Sequence, residues 1–235
     1  MTKTKRKAAE KNPVIISLGG SIVVPDEIDV PFLKDFRSLI LSRVRKGQRF
    51  IIIVGGGRTC RKYQKAAKEI TKQTAEDLDW IGIHSTRLNA QLMHSILREA
   101  CHPLVLRDYN EKINTSDSVI IATGWKPGHS TDFDAVMWAR NFKARTILNL
   151  SDVDYVYTAD PKFDKSAKPV RKISWRDFRK LVGNKWDPGA NKVFDPVAAA
   201  GAQKLSLKVV IMNGRNLSNL EDFLSGKSFK GTIIE

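Results

Sequence analysis

Short, unbroken apolar runs alternate along this chain with longer stretches in which apolar residues recur every three or four positions. Val14–Leu18, Arg49–Val54, Ser118–Ala122, Thr146–Leu150 and Val209–Met212 are the clearest runs, with shorter ones at Pro103–Leu106 and Thr232–Ile234. They are apolar at nearly every position, not every second one, which predicts strands buried on both faces. Between them, Phe32, Phe36, Leu39, Ile40 and Val44 mark a helix from Val30 to Arg45, with Gly47 as its stop. Arg58 to about Ala100 is helical with a break near Thr71–Ala75, and Ala135, Val136, Trp138 and Ala139 lie on a further helix. Ser174 caps a helix reaching about Val182, Asp195-Pro196 opens another, and Leu217–Leu224 is a third. Strand and helix in alternation predict an α/β fold, a three-layer αβα sandwich around a mainly parallel sheet. In such a sheet ligands belong at the carboxyl ends of the strands.

Composition changes this picture in three places. The chain has 235 residues and a net charge of +15, with Lys3, Lys5, Arg6, Lys7 and Lys11 in its first residues and the rest of the excess spread over the body. Residues 1–13 are expected to be a disordered basic tail; glycines at 19 and 20 cut the following apolar run too short for a signal peptide. The field favours polyanions and nucleotides as partners. No apolar run reaches the roughly 20 residues that span a bilayer. The two cysteines, Cys60 and Cys101, have neither metal-like nor disulfide-framework spacing, and the four histidines form no ligand pattern, so a reducing cytoplasm and no protein-built metal site are expected.

Candidate chemistry gathers at the strand ends. Ile51–Val54 runs into Gly55-Gly56-Gly57 and then a helix bearing Arg58, Arg61, Lys62, Lys65 and Lys68 on one side and Tyr63, Ala66, Ala67 and Ile70 on the other. A strand that turns through glycines into a helix presents backbone N–H groups at the positive end of the dipole, a ready anion site. Arg61 adds a planar, permanently charged fork. Used alone, glycines serve tight turns just as well. The first strand ends in Gly19-Gly20-Ser21, and a polar loop from Thr123 to Asp132 follows another strand. A G-x-x-x-x-G-K-[ST] loop is absent, and Cys60 stands where a dinucleotide fingerprint needs its last glycine, which excludes the usual dehydrogenase pattern.

These motifs in this order resemble the amino acid kinase family, and within it the archaeal-type uridylate (UMP) kinases, from Val14 to Glu235. The likeness rests on Gly19-Gly20-Ser21, on Gly55-Gly56-Gly57 with Arg61, and on Asp79 with Ile81-Gly82-Ile83 and Thr86–Ala90. Pro127-Gly128-His129-Ser130-Thr131-Asp132, Asp152-Val153-Asp154 and Tyr157-Thr158-Ala159-Asp160-Pro161 complete it. The Asp79–Ala90 block is what separates uridylate kinases from the acetylglutamate, carbamate and aspartate members. The resemblance implies one domain over 14–235, with an acceptor-nucleotide lobe at about 14–145 and an ATP lobe at about 146–235. It implies transfer of the ATP γ-phosphoryl to UMP with Mg²⁺, in a cytoplasmic homo-oligomer, a hexamer. Gly56, Asp79 and the segment Trp125, Lys126, Pro127, Gly128, His129, Ser130 and Thr131 would bind UMP. Gly20, Ser21, Gly57, Arg61, Ser151, Asp152, Tyr157 and Asp160 would bind ATP. Arg61 and Asp132 would carry turnover, Asp132 by orienting cationic groups.

Four positions depart from that pattern, Thr123 and Trp125 varying from the commonest residues and two others bearing on the ATP side. Ser17 stands where bacterial members have a lysine, and Lys62, Lys126 or Lys162 could supply the charge. Tyr155 stands where glycine is usual, which raises the question of a loop backbone with φ > 0. The same fold could serve another phosphate or carboxylate acceptor, or bind nucleotides without catalysis. Nucleic acid is expected only as a nonspecific ligand of the basic tail, since no recognition motif is present.

Overall fold

The computed structural model describes residues 12–161, 163–183 and 193–235. The basic residues 1–11, Lys162 and most of the surface loop expected between Lys185 and Val193 lie outside the described residues.

Five strands run parallel at the centre: β1 (Val14–Leu18), β2 (Phe50–Val54), β3 (Val119–Ala122), β4 (Thr146–Ser151) and, four strands later, β8 (Lys208–Asn213). Of the strands between, β5 (Val156–Tyr157) and β6 (Pro169–Val170) form a separate antiparallel pair, and β7 (Lys172–Ile173) joins the main sheet. With β9 (Thr232–Ile234), antiparallel to β8, the main sheet has seven strands in the order β3-β2-β1-β4-β8-β9-β7.

Side chains along each strand alternate between two cores. Ile15, Ile51, Ile53, Ile147, Val209 and Ile211 pack under α5 (Thr131–Asn141), α6 (Trp175–Val182) and α7 (Pro196–Lys204). Ile16, Leu18, Ile52, Val54, Leu148, Leu150, Val210 and Met212 pack under α2 (Val30–Arg45), α4 (Ala75–Ile96) and α8 (Leu217–Leu224). Coverage of both faces explains why the strands read as continuous apolar runs. The expected α/β sandwich is the observed one. The capping residues behave as their chemistry requires: Ser174 accepts from Asp177 N–H, and Asp195 from Val197 N–H.

Three local readings are corrected. Pro103–Leu106 is not a strand: only Cys101 and Leu106 make isolated bridges to β3, and Leu104 is 67% exposed. Proline supplies no N–H for a ladder there. The long helical stretch breaks where expected, between α3 (Gly57–Ile70) and α4, but the second helix ends at Ile96, short of Ala100. The apolar side of α3 is not buried; Tyr63 is 67% and Ile70 82% exposed, because α4 covers the sheet and α3 lies outside it.

The order of strands fixes where a crevice opens. The chain moves outward from β1 through β2 to β3, then returns to β4 on the other side of β1. Loops leaving β1 and β4 therefore diverge at their carboxyl ends, which is the topological switch point of an open α/β sheet.

Candidate functional site

The glycine loops after β1 and β2 lie against each other, backbone to backbone. A Cβ on Gly20 would fall 2.1 Å from the Gly57 nitrogen and 2.5 Å from the Gly55 carbonyl carbon. Gly57 itself has φ +65°, and a Cβ there would be 2.4 Å from the Gly20 oxygen. These glycines are thus required by the meeting of the two loops. Asn89 on α4 pins the second loop by donating to Gly55 O at 2.8 Å and to Gly56 O at 3.2 Å.

Charge enters this corner from two arginines. Arg61, in the second turn of α3, donates to Ser21 Oγ at 3.1 Å. Arg215, in the loop after β8, donates to the Ser21 carbonyl at 3.0 Å while its other nitrogen pairs with Asp29. Ser21 lies in α1 (Gly20–Val23), so both guanidinium groups flank the first glycine loop. The sequence reading missed Arg215. The available signal was Asn213-Gly214-Arg215, another turn at the carboxyl end of a core strand. Of the lysines considered for the charge absent at Ser17, Lys62 is held by Asp26 and Glu27 at 3.3 and 3.7 Å. Lys126 lies over the Trp125 ring, 4.4 Å from its centre.

Ser17 has a different partner. It alternates with Ile15 onto the α5 face of β1, and Asn149 does the same on β4, directly beside it in register. Both donate to Asp132 Oδ1 at 3.2 Å, and the Asp195 backbone N–H donates to Asp132 Oδ2 at 3.1 Å. Ser130 caps α5 and donates from its hydroxyl to Asp195. Asp132 therefore ties the starts of α5 and α7 to the ends of β1 and β4. The cationic groups expected around it are replaced by neutral donors. Burial, together with the Asp195 charge, pushes the Asp132 carboxyl up to about 7 against the stabilising hydrogen bonds. Two residues on, Asp134 is buried, its Oδ1 has no partner, and desolvation with the Asp132 charge pushes it up to about 8.

The loop after β3 lies over α4. Gly128, at φ +86°, donates its N–H to Asp79 Oδ2 at 2.7 Å. Arg87 donates to Trp125 O at 3.2 Å, and the Trp125 ring stands edge-on to Tyr109 at 4.8 Å. His129 lies 4.4 Å from Phe133. Pro127 and Thr131 are part of the same loop and helix start. Gly56 faces α4 from the other side, where a Cβ would meet Ser85 Cβ at 3.3 Å.

Beyond β4, Tyr157 and Asp160 line a cavity of about 330 Å³ with Val153, Tyr155, Leu181 and Val193. Ser151 and Asp152, at the end of β4, are not among its lining residues. Tyr155 has ordinary backbone: among the described residues only Lys143 and Ser206 are non-glycine with positive φ. The bulk placed there in glycine's stead strains nothing and forms a wall. Among the described residues no cluster of three or more metal-ligating side chains exists. No helix of the described residues is long and apolar enough to cross a membrane.

A doubly covered parallel sheet with glycine loops, helix starts and arginines converging on its switch point defines a class, that of α/β phosphate- and nucleotide-handling proteins. Within it the assignment is specific: the sequence pattern of the amino acid kinase family matches residues 12–213, and the chain belongs to that family. It is 33% identical over 225 residues to a uridylate kinase of Thermococcus sibiricus, covering 94% of this chain and 99% of the relative. It is 34% identical over 224 residues to a uridylate kinase of Methanospirillum hungatei, covering 94% of each. The crystal structure of uridylate kinase from Archaeoglobus fulgidus superposes with a TM-score of 0.82 at 32% identity, covering 95% of this chain and all of the other.

Proposed function

We propose that this protein is a nucleoside monophosphate kinase that transfers the γ-phosphoryl group of ATP to UMP, giving UDP and ADP for pyrimidine nucleotide synthesis. The observation that carries this reading is the Asp79–Gly128 hydrogen bond. It joins the α4 block peculiar to uridylate kinases to the loop that would close over the acceptor, in a chain alike over its length to proteins of that name.

The residues divide the work as follows. Gly56, Asp79 and Trp125 through Thr131 hold UMP, the free oxygen of Asp79 being available to a ribose hydroxyl. Gly20, Ser21, Gly57 and Arg61 hold the ATP phosphates, with Ser151 and Asp152 at the mouth and Tyr157 and Asp160 around adenosine. The acceptor lobe is about 14–145 and the ATP lobe about 146–235. The nucleophile is a phosphate oxygen whose second pKa lies near 6, so it is already ionised at neutral pH and needs no general base. That suits Asp132, whose oxygens are committed to three donors. Its work is to hold the strand ends and two helix starts in one frame, while Arg61, with Arg215 beside it, offsets the charge of the approaching phosphates. Mg²⁺ fits as an ion carried by phosphate oxygens, since the donor set lacks a carboxylate cage; it would neutralise the transferring group.

Assembly into a hexamer in the cytoplasm completes the proposal. Its support is the apolar outer face left by α3 and α4, where Tyr63, Ile70 and Leu88 are 67%, 82% and 64% exposed. The free thiols Cys60 and Cys101 suit a reducing compartment. The test is ADP release that requires both UMP and Mg²⁺. Equal indifference to UMP, CMP and other monophosphates would overturn the kinase reading.

A further inference from the structure

A second cavity, of about 410 Å³, shares Tyr155 as a wall with the one assigned to adenosine. Arg171 and Lys230 face it, as do the hydroxyl-bearing side chains of Ser218 and Ser228 and the ring of Phe229. Neither cationic side chain has a hydrogen-bond or ion-pair partner among the described residues. The one carboxylate in the wall, Asp222, is engaged by Lys227 at 3.4 Å. Two cationic side chains lining one polar cavity, whose single carboxylate is already engaged by a third cation, repel one another, and an anion bound between them relieves that repulsion.

The cavity is mechanically joined to the adenosine side. Tyr155 lines both, and its ring stands edge-on to Tyr157 at 6.4 Å. Arg171 directly follows Val170, which pairs with Val156 in the small sheet. Thr232 locks the arrangement, accepting from Val156 N–H at 2.8 Å while donating to Val170 O. Whatever draws Arg171 and Lys230 together pulls on the strand that carries Tyr157.

From this we infer that the cavity between Arg171 and Lys230 is a second anion site, taking a small phosphate-bearing ligand, whose occupancy is felt by the ATP cleft through Tyr155. The coupling half of the statement rests on the kinase reading; the binding half does not.

The experiment is a calorimetric titration of the full chain with pyrophosphate at fixed ionic strength, run beside the Arg171→Ala/Lys230→Ala double variant and Arg61→Gln. The native protein is expected to bind one equivalent more than the double variant, while Arg61→Gln weakens only the other equivalent. Identical titrations for native and double variant overturn the site, whether or not the protein phosphorylates UMP. Repeating the titration with ADP separates sources. Binding ten times tighter than pyrophosphate, still dependent on Arg171 and Lys230, marks a nucleotide; equal affinity marks an inorganic ion. For coupling, pyrophosphate should shift the KM for ATP at least threefold more in the native protein than in the double variant, whose kcat stays native. Equal shifts in both would be plain competition and would overturn the link through Tyr155. Far-ultraviolet circular dichroism of the double variant guards against misfolding, since both altered side chains are exposed.

Discussion

Two regions, the glycine loops after β1 and β2 and the cavity around β5, are made differently. Around β1 and β2 the surface is backbone against backbone: Gly20, Gly55 and Gly57 leave no room for one additional carbon. Around β5 the surface is side chain against side chain, with Tyr155 and Tyr157 as walls of a largely apolar cavity. A backbone surface suits phosphates, which are the same in every nucleotide and must be held without error in position. A side-chain surface suits the part of a ligand that differs, and it can be altered without unmaking the fold. The contrast predicts that equally small substitutions have very unequal consequences on the two sides.

The largest effect should come from Gly20→Ala or Gly57→Ala. In the first the new carbon overlaps a backbone nitrogen; in the second, overlap is joined by a left-handed φ of +65°. We expect loss of more than about 4 kcal/mol in urea unfolding, or a soluble protein without turnover. Gly128→Ala is the control, because φ is +86° but nothing lies within 4 Å of the added carbon. It should cost only about 1–2 kcal/mol. Similar values for Gly20→Ala and Gly128→Ala would erase the distinction between a close-packed loop and a merely bent one.

Next in size is Arg61→Gln. Arg61 is exposed and its side chain hydrogen-bonds only to Ser21 among the described residues, so stability should stay within about 0.5 kcal/mol. The kcat for phosphoryl transfer should fall on the order of 10²–10³-fold, the usual loss of a fixed charge aimed at a reacting centre. A fall in stability with turnover intact would make Arg61 a brace for α1 instead.

Much of this was legible from the sequence, for physical reasons that also mark where it stopped. Strands covered on both faces must be apolar at every position, so β1, β2, β3, β4 and β8 declared themselves. Gly20 and Gly57 stood out because nothing else fits. Strands β5, β6 and β7 did not, since two-residue strands carry no periodicity, whereas the apolar run of β9 was visible. Pro103–Leu106 misled because four apolar residues say nothing about ladder partners. The meeting of Ser17, Asn149 and Asp132 joins three distant segments, and only the register of β1 on β4 reveals it. Asp134 was passed over because a carboxylate beside a helix start looks like an ordinary cap.

Asp134 gives the third prediction and sharpens the contrast, being a cost hidden beneath the rigid side. Its folded pKa, about 8, exceeds the unfolded value of 3.8, so the native state holds the proton more tightly. The native advantage is complete below about pH 4, shrinks as pH rises, and reaches its minimum above about 8. Asp134→Asn cannot ionise and should be more stable than native protein at pH 8 by about 1–3 kcal/mol. The gain should narrow toward pH 4. Melting curves across that range check it; a gain that grows at low pH would reverse the sign and refute buried protonation.

The smallest effects bear most directly on the division of labour. Asp79→Ala removes the acceptor of the 2.7 Å bond from Gly128 and the oxygen proposed for the ribose, both on the UMP side. Tyr157→Ala removes a ring from the cavity beyond β4. Each should raise one Michaelis constant about tenfold, near 1.4 kcal/mol, and leave the other within about twofold. For Asp79→Ala the affected substrate is UMP, and for Tyr157→Ala it is ATP. A crossed design, each variant titrated with each nucleotide at saturation of the other, separates the terms. If both variants raise both constants alike, the cleft closes as one body, and the partition into a backbone-built phosphate floor and a side-chain-built selector is wrong. If the effects stay apart, the wall residues near Tyr157 can be altered to change donor preference without touching the glycine floor.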